Sequence, residues 1–524
     1  MKIVRFSRHF MYGISIIISL FLVFSSLLYV IDIENMGIKK DSPLISILAA
    51  LGLLLIMEII FKCGSVNTRL FNKVLLGIVL VYSIAVSLFW IFNSQSLPSG
   101  DQKSIYDIAV RAAGGDLLPV APTGSYLSLW PFQSGLVLIY ETILRLIPNA
   151  DHVTIQLSNL VFIPMLILSG YQLIRKWTYR ERAVSYFLIL IMLCFPYYLY
   201  SNLMYGEIPS LGLIFFSAWM LTEHKRSGKM RFALLASAAV MLAIIYRTNT
   251  LIFVVACIIA FLITFLIHRR SREIVVCILF ILTAVTASSI PQYIYEQRAD
   301  NTMGDGVPAV SYIAMGMQGS GNTPGWWNGY HSDLYMELDY NAKLTAEYSM
   351  QSIKESLAGF IADPEYALSF YHKKLVTQWC DQSYSCFYAT KLLFENRTDI
   401  AWNIYTGQLN QKLQTAMNWY QSAIYLGLLC FCSIPGITWL INRKKGINVF
   451  PKRTDEYEKH ILLITIIGGF LFSIIWEGGS RYMFPYTVMI LPYTAIGYDR
   501  VMTAIKFKVT PVISHVLQRR QNIS

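Results

Sequence analysis

The stretch YLSLWPFQSGLVLIYETILRLI, residues 126–147, decides how this chain is threaded. It is apolar and long enough to cross about 30 Å of hydrocarbon, yet it contains Pro131, Gln133, Glu141 and Arg145. If it crosses, every later loop changes sides. The basic clusters Arg175/Lys176/Arg180/Arg182, Lys225/Arg226/Lys229/Arg231, Arg269/Arg270/Arg272 and Arg443/Lys444/Lys445 would then all face outward. If it starts and ends on the outer side, those clusters and both termini become cytoplasmic, as the positive-inside rule requires. The stretch therefore reads as an interfacial or re-entrant element.

Around it lie the apolar runs that read as spans. Three precede it, at residues 10–31, 43–61 and 71–92. Six follow, at residues 153–174, 184–203, 208–221, 232–246, 251–267 and 274–290, and three close the chain at residues 419–441, 461–476 and 483–498. The expected fold is an all-α polytopic membrane protein of about twelve transmembrane helices, with interfacial helices in the first outer loop and a small outer helical domain. The expected divisions are residues 1–92 for the first three spans, 93–152 for the first outer loop, 153–291 for spans four to nine, 292–417 for a large outer domain, and 418–524 for the last three spans and a cytoplasmic tail. The first run follows Lys2, Arg5 and Arg8, lacks a small-residue cleavage site and has the length of a full span, so it reads as a retained anchor.

Composition agrees. The 524 residues are 55% hydrophobic and 14% charged, with a mean hydropathy of +0.48, outside the range of ordinary soluble domains. The net charge of +12 does not point to nucleic acid, because the basic residues are scattered between apolar runs. Residues 292–414 are instead acidic, with thirteen Asp/Glu against eight Lys/Arg. With Trp326, Trp327, Trp379, Trp402, many Tyr, and Gly316, Gly319, Gly321, Gly325 and Gly329 near its start, this segment reads as a folded cap. Residues 444–459 read as a polar cytoplasmic connector. Cys380 and Cys386 either bridge in an oxidising compartment or stay as free thiols.

Under this topology charges collect at outward-facing ends. Asp101, in Ser99-Gly100-Asp101-Gln102, opens a helix whose apolar face holds Ile105, Ile108, Ala109 and Ala112. An Asp there either caps the helix or serves as a reacting carboxylate. The outer turns Tyr205-Gly206-Glu207-Ile208-Pro209, Tyr246-Arg247-Thr248-Asn249 and Glu477-Gly478-Gly479-Ser480-Arg481-Tyr482 each bring an ionisable residue to a span end, where charge is costly and a functional site is the default reading. Together the types fit one chemistry. When a sugar leaves from a lipid phosphate, the leaving group needs no proton, so the two-carboxylate pair of a glycosidase is unnecessary. One base suffices, with guanidinium groups on the developing phosphate charge. Asp101 is the candidate base, Arg247 and Arg481 the candidate phosphate holders, and Glu207, Glu477 and Tyr482 candidate substrate-binding or orienting groups. Trp326, Trp327 and His331 form a possible sugar-stacking rim or the core of the outer domain.

An Asp-bearing first outer loop with flat helices, the outer turn at Glu207, a large late outer domain and the closing Glu477-x-x-x-Arg481-Tyr482 turn resemble the C-type integral-membrane glycosyltransferases. The resemblance is to the group of protein mannosyltransferases and lipid A aminoarabinose transferases. It implies Asp101 as catalytic base, a polyprenyl-phosphate sugar entering from the bilayer as donor, and a glycan, lipid or protein as acceptor, with no nucleic acid involved. It also implies a multi-pass protein of the bacterial cytoplasmic membrane, both termini cytoplasmic and the active site outside. Many mannosyltransferases have an Asp-Glu pair where this chain has Asp101-Gln102, and no outer carboxylate cluster in this sequence suggests a metal site. No cofactor beyond the lipid-linked sugar is expected, with a divalent metal, as the oligosaccharyltransferase branch uses, as the alternative. A polysaccharide polymerase or ligase, and a lipid-linked sugar transporter or flippase, remain as alternative readings.

Overall fold

In hydrocarbon a backbone has to satisfy its own N–H and C=O groups, and a helix does so within one segment. The structure, a computed structural model, describes residues 2–32, 37–64, 66–118, 123–319, 323–390, 397–444 and 456–521, and over these it is almost entirely helical. Gly321 and most of the connector at residues 444–459 lie outside the described residues. Each of the twelve apolar runs coincides with a helix or a broken pair of helices. Seven helices among the described residues are long and apolar enough to cross a membrane alone, and the pair Glu181–Met192 and Phe195–Asn202, bent by 51°, passes the same test when taken together, as a broken span or a re-entrant loop. Pro196 sits in the first turn after that bend, where its missing N–H costs no helix bond. The remaining expected crossings are Glu207–Ser227, Met230–Tyr246, and parts of Gln408–Lys444 and Ser480–Gln521. The protein is thus an all-α polytopic membrane protein, and among the described residues length and composition alone account for seven of the expected twelve crossings, or eight with the bent pair counted as one span.

The stretch at residues 126–147 is broken. It forms Tyr126–Leu129, a 3-10 turn Pro131–Gln133, and Ser134–Leu146. Thirteen residues of helix rise about 20 Å, too short to cross. Leu136, Val137 and Tyr140 of that helix share a buried cluster with Ile105, Ile108, Ala109 and Ala112 of Asp101–Ala113. The charges that argued against a span are the ones that anchor it. Glu141 receives two hydrogen bonds from Arg298 (2.9 and 2.7 Å), one from Tyr295 (2.6 Å) and one from Arg145 (2.8 Å). Burial alone would raise this carboxyl, but those hydrogen bonds win and hold it below the usual carboxylate range.

Two ends of the bundle can be told apart by contacts. At one end the strand pair Tyr29–Asp32/Gly37–Lys40 meets residues 372–382, where Gln382 donates to the Ile31 carbonyl (3.2 Å) and the Tyr29 and His372 rings touch at 5.4 Å. At the other, Ser7 bonds Tyr457 (2.7 Å), Arg180 pairs with Asp499 (2.9 Å) and Lys225 with Glu273 (3.0 Å). Helix Glu207–Ser227 runs from the first end to the second, with Glu207 opening it and Lys225 in its last turn. The outward and inward groups of the sequence reading therefore separate to opposite ends.

The described residues between 300 and 407 supply six helices: Ala309–Gly316, Tyr330–Glu337, Ala342–Ala362, Pro364–Trp379, Cys386–Ala389 and Asp399–Thr406. Trp379 is fully buried against the bundle and donates to Ser473 Oγ (3.1 Å). Cys380 and Cys386 are both free and buried.

Candidate functional site

Asp101 is the first residue of helix Asp101–Ala113, after Gly100, the N-cap residue, at a φ of 56°. The carboxylate is exposed and accepts a hydrogen bond from the Tyr205 hydroxyl at 3.0 Å. Next to it Gln102 turns inward, donating to the Ala389 carbonyl (2.9 Å) and accepting from the Met204 N–H (2.9 Å). The residue that departs from the Asp-Glu pattern is thus a tie between helix Asp101–Ala113, the turn before Glu207 and helix Cys386–Ala389.

Tyr205 stands at the middle of the cluster. Its hydroxyl also receives a hydrogen bond from Gln133 (2.7 Å), and its carbonyl accepts one from Arg247 (3.2 Å). The Arg481 and Arg247 guanidinium groups lie 4.5 and 5.2 Å from its ring centroid. Such contacts are favourable because the ring face is electron-rich. The following Gly206 has φ +86°, and a Cβ there would come within 2.3 Å of the Tyr246 carbonyl. Only glycine lets the Tyr205 turn press against the turn that carries Arg247.

Glu207 is buried between the two cations. Its carboxylate lies 2.9 Å from Arg247 and 3.6 Å from Arg481. A carboxylate at that depth persists only when paired, and here it ties together the two guanidinium groups that lie against the Tyr205 ring. Arg247 is extended at the end of Met230–Tyr246, and Arg481 sits in the first turn of Ser480–Gln521. Half-buried Arg481, with 22% of its side chain exposed, is the more open of the two.

The Glu477 carboxyl accepts from the Tyr482 hydroxyl (2.7 Å). Burial pushes it up to about 7, and the charge of Asp101 adds to the rise. The ring of Tyr312 stacks on Trp476 at 5.1 Å, His331 meets Tyr312 edge-on at 4.6 Å, and Trp130 packs near Tyr126 at 4.8 Å. Asp101 also acts electrostatically on Tyr126, Tyr312 and His331, which places these groups around it. Burial lowers the His331 imidazole, which favours its neutral form.

The structure therefore brings together Asp101, Glu207, Arg247, Glu477, Arg481, Tyr482 and His331. The two tryptophans of the expected rim lie differently. Trp326 donates its indole N–H to Thr377 (3.2 Å) and pairs along the backbone with Gly478. Trp327 is 67% exposed. The aromatic wall near Asp101 is made instead of Trp130, Tyr126, Tyr312, Trp476 and His331, of which only His331 was singled out in the sequence.

Two further supports hold the Arg481 turn. Lys374, fully buried, donates its ammonium hydrogens to the carbonyls of Gly316, Ile474 (3.0 Å) and Trp476 (2.7 Å). Burial lowers it to about 7. Asp381 accepts from the N–H groups of Ser383 (2.9 Å) and Ser385 (2.8 Å) and from the Ser480 hydroxyl (2.6 Å), one residue before Arg481. The Asp381-x-Ser383-x-Ser385 pattern is a side-chain-to-backbone turn signal readable in the sequence. Lys374 left none, since a lysine in a polar helix ordinarily faces water. Among the described residues no group of three or more His, Cys, Asp or Glu is arranged to hold a metal ion.

Residues 2–502 match the family described as conserved hypothetical integral membrane protein. Comparison with curated protein sequences gave no match. Among solved structures, the chain is similar to the oligosaccharyltransferase of Archaeoglobus fulgidus in its apo form, with a TM-score of 0.42 and 13% identity over 84% of this chain and 52% of that one. It is also similar to ArnT from Cupriavidus metallidurans bound to undecaprenyl phosphate, with a TM-score of 0.32 and 12% identity over 80% of this chain and 78% of that one. The chain spans about half the length of the oligosaccharyltransferase. At such distance the reading of the site rests on its own geometry.

Proposed function

We propose that this chain, which belongs to the family of conserved hypothetical integral membrane proteins, moves a sugar from a polyprenyl-phosphate donor to an envelope acceptor. The observation that carries this reading is the contrast between one exposed carboxylate, Asp101, and the paired guanidinium groups of Arg247 and Arg481, joined to it through Tyr205. Arg481 and Arg247 hold the phosphate, matching its oxygens with planar N–H forks. Asp101 takes the proton of the incoming hydroxyl. The hydroxyl oxygen attacks the anomeric carbon from the face away from phosphate, and the bond from that carbon to the phosphate oxygen breaks. Its electron pair stays on the phosphate, where the guanidinium charges meet it. The product is a glycoside of inverted configuration, and polyprenyl phosphate is released. The lipid-linked sugar is the co-substrate, and the scheme requires no resident cofactor.

On this reading the site faces outward from a bacterial cytoplasmic membrane and both termini are cytoplasmic, as the basic clusters at the opposite end support. A polymerase or ligase would work through the arginines and leave Asp101 dispensable. A flippase would have no use for a carboxylate poised beside a phosphate site. Mass spectrometry of envelope glycans from cells with and without the protein tests the reading. A defined sugar is expected to disappear from one glycan, lipid or protein while its polyprenyl-phosphate form accumulates; unchanged glycans and unchanged lipid pools would refute it.

A further inference from the structure

Tyr205 touches both halves of the site. Its hydroxyl donates to Asp101 (3.0 Å) while both guanidinium groups lie against its ring. Cations beside a phenol strengthen it as a hydrogen-bond donor, because they stabilise charge that moves onto the ring and oxygen. An anion that takes the guanidinium groups removes that effect. A hydrogen bond donated to a carboxylate favours its charged form and opposes proton uptake. We infer that Tyr205 is a positioning residue that couples phosphate at Arg247 and Arg481 to the readiness of Asp101 to accept a proton. Before the donor arrives, the phenol holds Asp101 in a hydrogen bond. Once the lipid phosphate engages the arginines, that hold weakens and Asp101 becomes available to the acceptor hydroxyl. Donor binding thereby precedes activation of the acceptor, which guards against loss of the sugar to water.

The groups around Asp101 that carry or can change charge are Tyr126 on the first outer segment, Tyr205 with Arg247 and Arg481 behind it, Tyr312 and His331 on the late outer segment, and Glu477 on the closing turn. On Asp101's own helix, Lys103 is engaged with Asp107. The inference rests on the proposed phosphate site but needs no knowledge of the sugar.

Its test is linkage between phosphate and proton binding. Undecaprenyl phosphate without sugar is titrated into the full-length protein in detergent micelles near pH 5, about a unit above the ordinary carboxylate range. Calorimetry in two buffers of different ionisation heat gives the protons taken up per lipid bound. Wild type is expected to take up protons beyond what the lipid phosphate's own ionisation, at about 6, exchanges, a contribution common to every variant. Tyr205→Phe and Asp101→Asn are each expected to lose roughly half or more of that uptake while still binding the lipid. Asp101→Asn also separates Asp101 from Glu477, which both variants keep. Equal uptake by all three proteins overturns the coupling and leaves the transferase reading intact. Absence of any lipid binding by wild type overturns both.

Discussion

Asp101→Asn is expected to lower the rate of sugar transfer about 10²–10⁴-fold, the range over which a positioned general base contributes, with the donor KM unchanged or lowered and not raised. The asparagine keeps the shape of the carboxylate and can still accept the Tyr205 hydrogen bond, but it cannot take up a proton. Asp101 touches neither arginine, and neutralising it removes only what opposes phosphate through Tyr205, so the donor phosphate should bind at least as tightly as before. Initial rates in proteoliposomes, with donor and acceptor varied in turn, provide the measurement. A rate within about 3-fold of wild type would remove Asp101 from the chemistry and favour the polymerase or ligase reading.

Arg481→Lys is expected to cost about 10²–10³-fold in kcat/KM, the usual effect of removing one preorganised donor from a developing oxyanion. Lysine keeps the charge but not the planar fork, nor its stacking 4.5 Å from the Tyr205 ring. Because the lost contact is made to phosphate before and during transfer, the donor KM should rise along with the fall in kcat. Inhibition by bare undecaprenyl phosphate should weaken in parallel. Arg247, more deeply buried and bound to both Glu207 and the Tyr205 carbonyl, positions this cluster as well as contributing charge. If Arg481→Lys lowered kcat without touching donor KM or product inhibition, Arg481 would not hold the phosphate.

The layout of spans and the gathering of charges at one end were legible because both follow from solvation. Apolar runs have to be helical in lipid, and charges avoid its interior. Residues 126–147 were readable for the same reason: Glu141 and Arg145 could not be left unpaired in hydrocarbon, and in the structure they meet Arg298, Tyr295 and the Ala112 carbonyl. The break at Pro131 was also there to be seen. What remained hidden depends on distant partners. Tyr205 resembles any interfacial tyrosine until Asp101, Gln133 and two arginines are brought around it by four separate segments. Gln102 reads as a missing carboxylate in sequence and proves to be a buried tie. Trp326 and Trp327 stood out as adjacent indoles, but one is committed to Thr377 and Gly478 and the other points into solvent. Aromatic content alone could not separate them from Trp130 and Tyr312, which line the wall near Asp101.

The stereochemistry of a single turnover bears most directly on a lone base working opposite a bound phosphate. A polyprenyl-phosphate sugar of known anomeric configuration is incubated with the reconstituted protein and acceptor, and the product glycoside is examined by NMR. Inversion at the anomeric carbon, with one polyprenyl phosphate freed per sugar transferred, is the result expected from Asp101 and the two arginines. Retention of configuration, which requires a second displacement on a covalent sugar–enzyme intermediate, would contradict it.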